Sequence, residues 1–306
     1  MKNLNTLKDD YLLFCKNQKC LDEKTLKAYK IDLRQFLDMI HTDLLTTIDT
    51  NLLENYICKL HQTYKPKTAK RKIASVKAFF HYLEYKDYIS INPFSKIHIK
   101  FREPVILPKT IPLNTVELFL STMYNHLSSA KNDYQYSNIL RDIAVIELLF
   151  ATGMRISELC SLTPANVNLI NRTVLIYGKG SKERIIQIGN EDVYRILCKY
   201  VQEFQNEIGR TGHFFINHLG EALSDQSVRR MIRKYASMAS IPLHITPHMF
   251  RHTFATALLD ADVDIRYIQE MLGHSSINIT EIYTHVTTAK QMSILSTKHP
   301  RKDLRV

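Results

Sequence analysis

Between Phe101 and Thr115 the chain loses its helical rhythm and places prolines at 104, 108 and 112. Proline fixes φ, offers no amide proton and pushes the residue before it into extended geometry, so such a stretch breaks helices. It therefore reads as an interdomain linker at 104–113, with one domain over 1–103 and another over 114–306. At 306 residues, both parts are long enough to enclose a core of their own.

The first part reads as helices. Asp22 to Leu26 opens a segment with Leu26, Tyr29, Leu33, Phe36, Leu37 and Ile40 at helical spacing. A second helix follows Pro66, with Ile73, Val76, Phe79, Phe80 and Leu83 on one face. In the second part, Asn114-Thr115-x-Glu117 reads as a helix start with a capping box, and Ile139–Phe150 as a buried helix. Short β-prone runs follow at Val167–Ile170, Thr173–Tyr177 and Arg184–Ile188, the last two joined by the hairpin tip Gly178-Lys179-Gly180-Ser181-Lys182. Helices resume at Glu191. The expected fold is mostly α with a small β-sheet in the second domain.

Lys and Arg number 41 against 30 Asp and Glu, a formal net charge of +11. A balance of this kind favours a polyanionic partner, because each neutralised phosphate releases a condensed counterion. The densest basic run, Lys65, Lys67, Lys70, Arg71, Lys72 and Lys77, lies on the helix after Pro66. Lys27, Lys30 and Arg34, with Thr25, form a second strip on the preceding helix. Both strips are expected to contact a DNA backbone; the plainer alternative is a solvated helix face. The five cysteines, at 15, 20, 58, 160 and 198, form no C-x-x-C pair, so neither a disulfide framework nor a zinc site is expected. No signal-like run opens the chain and none is long enough to span a membrane, so a cytoplasmic, chromosome-associated protein is expected.

Six residues in the second half carry candidate chemistry: Arg155, Lys179, His248, Arg251, His274 and Tyr283. Arg155 follows the glycine that ends the apolar helix and, taken alone, reads as an ordinary partner of Glu158. Lys179, between two glycines, is alone a surface lysine. In Thr246-Pro247-His248-Met249-Phe250-Arg251-His252, threonine suits an N-cap and proline the first helical position. His248 and Arg251 then share one face beside a helix N-terminus that suits a phosphate, with Phe250, Phe254, Ala257 and Leu258 as the opposite, buried stripe. His248 and His252 also stand at i,i+4, but Met249 occupies the position where zinc proteases carry glutamate, so no metal is expected. His274 lies between a helix-ending glycine and a capping serine, and Tyr283 is one of 16 tyrosines.

Together these words match one family. Gly153-x-Arg155-x-Ser157-Glu158-Leu159, Gly178-Lys179-Gly180, His248-x-x-Arg251-His252, Leu272-Gly273-His274 and Tyr283-Thr284-His285-Val286 closely resemble the tyrosine site-specific recombinases, nearest the bacterial Xer branch. The resemblance implies a helical core-binding domain and an α+β catalytic domain forming a C-shaped clamp, with four protomers, identical or of two kinds, gathering two duplexes. It implies double-stranded DNA with a specific recombination site as partner, Tyr283 as nucleophile, Arg155 and Arg251 as phosphate holders, Lys179 as general acid and His248 and His274 as further site residues. It implies a 3′-phosphotyrosine intermediate, needing neither metal, ATP nor another cofactor, and a C-terminal tail exchanged between protomers; the plain reading of that tail is a helix packed on its own domain. Residues Asn125–Asn138 look longer than the usual Xer connection, and Gln187 stands where many relatives have proline. A type IB topoisomerase, which shares the phosphotyrosine chemistry, and a noncatalytic DNA-binding regulator are the competing functions.

Overall fold

The computed structural model describes residues 3–42, 44–97, 108–178 and 183–273. The chain divides into two compact units, Met1–Val105 and Ile106–Val306.

Among its described residues the first unit has four α-helices: α1 (Leu4–Asn17), α2 (Glu23–Ile40), α3 (Thr50–Thr63) and α4 (Pro66–Tyr85). Side chains cap the first three. Asn3, Asp22 and Asp49 accept the exposed amides of Asn5, Thr25 and Leu52, and Pro66 opens α4 where its missing amide costs nothing. The periodic faces meet in one core. Leu33 and Phe36 of α2, Leu53 and Tyr56 of α3, and Val76, Phe79, Phe80 and Leu83 of α4 are all buried in it. Phe36 meets Tyr56 and Phe80 edge-on, at centroid separations of 4.9 and 6.0 Å.

The second unit is organised around α6 (Asp133–Thr152), which follows α5 (Leu113–Ser128). From Ile139 to Leu149 every residue of α6 is buried, so neighbours cover it on all sides. Helix α7 (Ile156–Cys160) leads into a three-stranded antiparallel sheet of β1 (Val167–Asn168), β2 (Thr173–Tyr177) and β3 (Glu183–Gln187). Val174 and Ile176 on β2 and Arg184 and Ile186 on β3 face inward, as a two-residue period requires. Then come α8 (Glu191–Glu203), α9 (Gln205–Thr211), α10 (Asp225–Met238), α11 (Pro247–Asp260) and α12 (Ile265–Leu272). The segment before α5 is stitched to α11 by Thr253, whose hydroxyl accepts the Ile111 amide at 2.8 Å and donates to the Met249 carbonyl at 2.8 Å.

Two local expectations change, at the start of α5 and on α11. Helix α5 begins at Leu113 after Pro112 and has no side-chain cap, so Asn114 lies inside the first turn and no capping box forms. Most of Asn125–Asn138 is helix, leaving only Ser129 to Asn132 between α5 and α6, and Asn132 caps α6 through the Gln135 amide at 2.8 Å. On α11 the buried positions are Pro247, Met249, Phe250, Arg251, Thr253, Ala255 and Thr256, whereas Phe254, Ala257 and Leu258 are half-buried. This helix is enclosed on both faces, not amphipathic in the simple sense.

Candidate active site

Two glycines set the local geometry. Gly153 ends α6 at φ +58° and Gly273 ends α12 at φ +65°, left-handed conformations that favour glycine. A Cβ on Gly153 would come within 2.5 Å of the Phe254 ring and 3.1 Å of a Leu272 methyl, so the chain turns where α11 and α12 press closest. Helix ends leave carbonyls without helical partners. Arg251, 4% exposed, binds the ends of both helices, donating from Nη1 to the Gly153 carbonyl and from Nη2 to the Leu272 carbonyl, each at 2.7 Å.

Arg155 caps α7, two residues beyond Gly153. Glu158 holds it twice, accepting the Arg155 amide at 2.8 Å and Nη1 at 2.7 Å. The i,i+3 pairing is therefore real, and it leaves the Arg155 side chain 35% exposed. Glu158 is buried and receives a second guanidinium, with Arg184 Nη1 at 3.2 Å from one oxygen and Nη2 at 2.6 Å from the other. Burial acts to raise the Glu158 carboxyl, but hydrogen bonds from Arg184 and Arg155 outweigh it and hold the group below the ordinary carboxylate range.

His248 stands at the second position of α11, exposed to solvent. Partial loss of hydration, then the positive charges of Arg251, Arg229 and Arg155, push its imidazole below the ordinary histidine value. Its neighbour His252, at a ring separation of 6.5 Å, is pushed down to about 4 by burial, His248 and Arg251. Three of the six sequence candidates, Arg155, His248 and Arg251, thus lie in one electrostatic neighbourhood. Lys179, His274 and Tyr283 lie outside the described residues. Pro247 takes the first helical position as expected, while Thr246 sits at the N-cap without a side-chain cap bond. Among the described residues no three metal-ligating side chains cluster, and no helix is long and apolar enough to cross a membrane.

The basic strips divide. Lys65, Lys67, Lys70 and Lys77 on or beside α4, and Lys27, Lys30 and Arg34 on α2, are exposed. Lys72 departs from the expected strip: its side chain is 5% exposed, pairs with Asp32 at 3.2 Å, bonds Gln35 and lies 4.8 Å over the Tyr64 ring. Arg71 also binds Asp32 but remains half-exposed. The helical period explains the sorting, since Lys72 falls on the inner face with Ile73 and Val76.

Sequence reading missed Arg184 and Arg229. For Arg184 a signal was present, because alternation through Arg184, Ile186 and Ile188 puts an arginine on the inward phase of a strand. Arg229 stands on α10, which packs against α7, and its contribution to His248 is visible only once the fold is known.

Residues 120–290 match the phage integrase family, and residues 9–86 match the phage integrase N-terminal SAM-like domain. The chain is 65% identical over 303 residues to a tyrosine recombinase of Agathobacter rectalis, spanning 99% of each chain. It is 35% identical to the tyrosine recombinase XerD of Listeria innocua, over 97% of this chain and all of that one. In three dimensions it resembles the XerH site-specific recombinase bound to a palindromic difH substrate, with TM-score 0.75 and 23% identity over 92% of this chain and 82% of that chain. A lambda integrase bound to a COC′ core site gives TM-score 0.70 at 15% identity, over 92% and 95%. At these identities the two structural likenesses speak for the fold.

Proposed function

The chain belongs to the phage integrase family and is a tyrosine recombinase, an enzyme of DNA strand cleavage and rejoining, and we propose that it works through Tyr283, with Arg155, Arg251, His248, Lys179 and His274 around the scissile phosphate. The reading rests on one observation above all: Arg155 and Arg251 are fixed by the same turn, Arg251 through the Gly153 carbonyl and Arg155 two residues later, and the charge of both reaches His248.

A phosphodiester carries one negative charge, and attack by an oxygen raises it toward two. Fixed guanidinium groups on the nonbridging oxygens meet that charge without reorganising, and loss of one such donor typically costs about 3 kcal/mol, or roughly a hundredfold or more in rate. The Tyr283 oxygen attacks phosphorus, the bond to the 5′ oxygen breaks, and a 3′-phosphotyrosine and a free 5′ hydroxyl result. The phenolic proton passes to His248. A histidine held below its ordinary value is neutral near pH 7 and has a lone pair to accept with. Lys179 gives the 5′ oxygen its proton. The linkage keeps the phosphoester energy, so a 5′ hydroxyl from a partner strand reverses the step and joins the new strand.

In this reading the exposed strips of α2 and α4 track the backbone of a double-stranded recombination site. Protomers assemble as a tetramer on two duplexes, in the cytoplasm on the chromosome, as in Xer-type dimer resolution or mobile-element integration and excision. Tyr283→Phe is expected to keep DNA affinity within about twofold while forming no covalent adduct, read on denaturing gels with end-labelled duplex. An adduct surviving that change moves the nucleophile elsewhere. Relaxation of supercoiled DNA lacking any recombination site, by the unaltered protein, would favour the topoisomerase alternative.

A further inference from the structure

The arginine on the inward phase of β3 has more partners than packing requires. Arg184 donates Nη1 and Nη2 to the two Glu158 oxygens and Nε to the Met271 carbonyl at 2.8 Å. Its side chain also fills the space beside Gly273, where a Cβ would sit 3.0 Å from Nη1 and 3.2 Å from Cδ. One buried guanidinium thus joins three elements, each leading to a different proposed site residue. β3 begins at Glu183, shortly after Lys179 in the sequence. Glu158 carries Arg155. Met271 and Gly273 immediately precede His274.

We propose that Arg184 is a positioning residue for strand cleavage, holding Glu158 so that Arg155 is turned to the scissile phosphate and not neutralised in its own ion pair. The physical reason lies in the division of one carboxylate between two cations. Glu158 accepts from both arginines, and its two contacts to Arg184 are made between side chains only 7% and 6% exposed. A bidentate guanidinium–carboxylate pair in that setting is geometrically rigid. It fixes the carboxylate and shares its charge, so Arg155 is oriented by one hydrogen bond from Nη1 while its Nε and Nη2 have no acceptor among the described residues. Remove Arg184, and the buried carboxylate has Arg155 as its remaining cation; the ion pair tightens and competes with the phosphate for the same donors. Lysine in place of Arg184 keeps the charge but not the fork or the third bond to Met271.

This rests on the reading of Arg155 as a phosphate holder, and the test separates the two. Covalent-adduct rates would be measured for the unaltered protein, Arg184→Lys, Arg184→Met and Arg155→Ala. Each would be given an ordinary duplex and one carrying a methylphosphonate, which lacks the nonbridging negative charge, at the scissile position. Arg184→Met is expected to cleave the ordinary duplex more slowly by on the order of tenfold to a hundredfold, less than direct loss of a charge-stabilising donor. Arg184→Lys should fall between it and the unaltered protein, and DNA affinity should stay within about twofold. On the methylphosphonate the deficit of both variants should largely disappear, because the charge that Arg155 meets is gone. A deficit equal on both substrates, or an Arg184→Lys rate matching that of the unaltered protein, overturns the proposal. If Arg155→Ala cleaves normally, the underlying reading of the site fails; if Arg155→Ala fails while Arg184→Met cleaves normally, the positioning role alone falls. Should Arg184→Met not fold, Arg184→Lys carries the same comparison.

Discussion

Each unit contains a buried carboxylate shared between a deep cation and one nearer solvent, and the two differ in the deep cation. In the first unit Asp32 takes Arg71, Lys72 and the Ser75 hydroxyl, the last at 2.9 Å, and joins α2 to α4. In the second unit Glu158 takes Arg155 and Arg184. Asp32 absorbs Lys72 into the interior through a single contact and leaves Arg71 half-exposed. Glu158 anchors Arg184 inside through a two-bond fork and leaves the Arg155 side chain 35% exposed. A buried carboxylate can therefore withdraw one cation from a surface and orient another at it. What separates the nodes is how firmly the deep cation fixes the carboxylate, a lysine as a point charge and an arginine as a planar fork.

The largest expected effect breaks the first node. Asp32→Ala leaves Lys72 buried without its carboxylate, and removing one partner of a buried pair typically costs about 3–5 kcal/mol. Denaturant unfolding should show that loss in the transition of the first unit. At saturating protein, the cleavage rate of bound DNA should stay within about twofold, since Asp32 pairs with none of the six proposed cleavage residues among the described residues. A matching drop in that rate would mean that the first node also serves the chemistry. Lys72→Met sharpens the point: an apolar side chain of similar length lightens the burial of charge, and it should alter stability without altering the salt dependence of DNA binding.

The two nodes also show what a sequence makes legible. The helices of both units, the glycine at the end of α6, the proline at the start of α11 and the three strands could be read from period and punctuation, because those are local. Arg155 with Glu158 could be read for the same reason, being one helical turn apart. Arg184 with Glu158 could not, since 26 positions separate them and the pairing follows from how β3 lies against α7. Lys72 looked like one more member of a basic run until helical phase put it beside Asp32, 40 positions earlier. The capping box at Asn114 failed because Pro112 takes the N-cap position two residues sooner, a competition between two adequate start signals. The recombinase signature was readable in short words even though the residues it names converge only through the fold.

An intermediate effect concerns acid, and it separates the chemistry of the second unit from its stability. His252 has an ordinary value near 6.5 when unfolded and about 4 when folded. The unfolded chain therefore binds a proton first as pH falls, so this stability is complete above about 6.5 and is lost between there and about 4. Discounted for partial exposure, the loss is on the order of 1–2 kcal/mol. The Glu158 carboxyl, held low by its arginines, contributes stability above its unfolded value that disappears as pH falls through the lower folded value, so its loss comes later on the same descent. Urea titrations at pH 7.5, 6, 5 and 4 should show the second unit weakening in two stages. His252→Gln should flatten the first stage only. If the slope between 6.5 and 5 is unchanged in that variant, His252 is not the group that takes up the proton.

The smallest effect on stability is expected at the exposed strip, where the contrast with Lys72 is sharpest. Lys67, Lys70 and Lys77 share α4 with Lys72 and differ from it in facing solvent. Replacing all three with glutamine should move stability by no more than about 0.5 kcal/mol per site, as surface changes away from packed features usually do. If each meets a phosphate, the plot of log affinity against log salt should lose about 0.9 in slope for each contact removed. Affinity should fall alike for specific and unrelated duplexes, because backbone contacts carry no base information. An unchanged slope would return these three lysines to the role of a solvated helix face and shift the backbone contacts of this unit toward Lys27, Lys30 and Arg34. A changed slope in Lys72→Met, by contrast, would mean that Asp32 releases Lys72 when DNA arrives, adding a second cation to Arg71, which the first node already leaves at the surface.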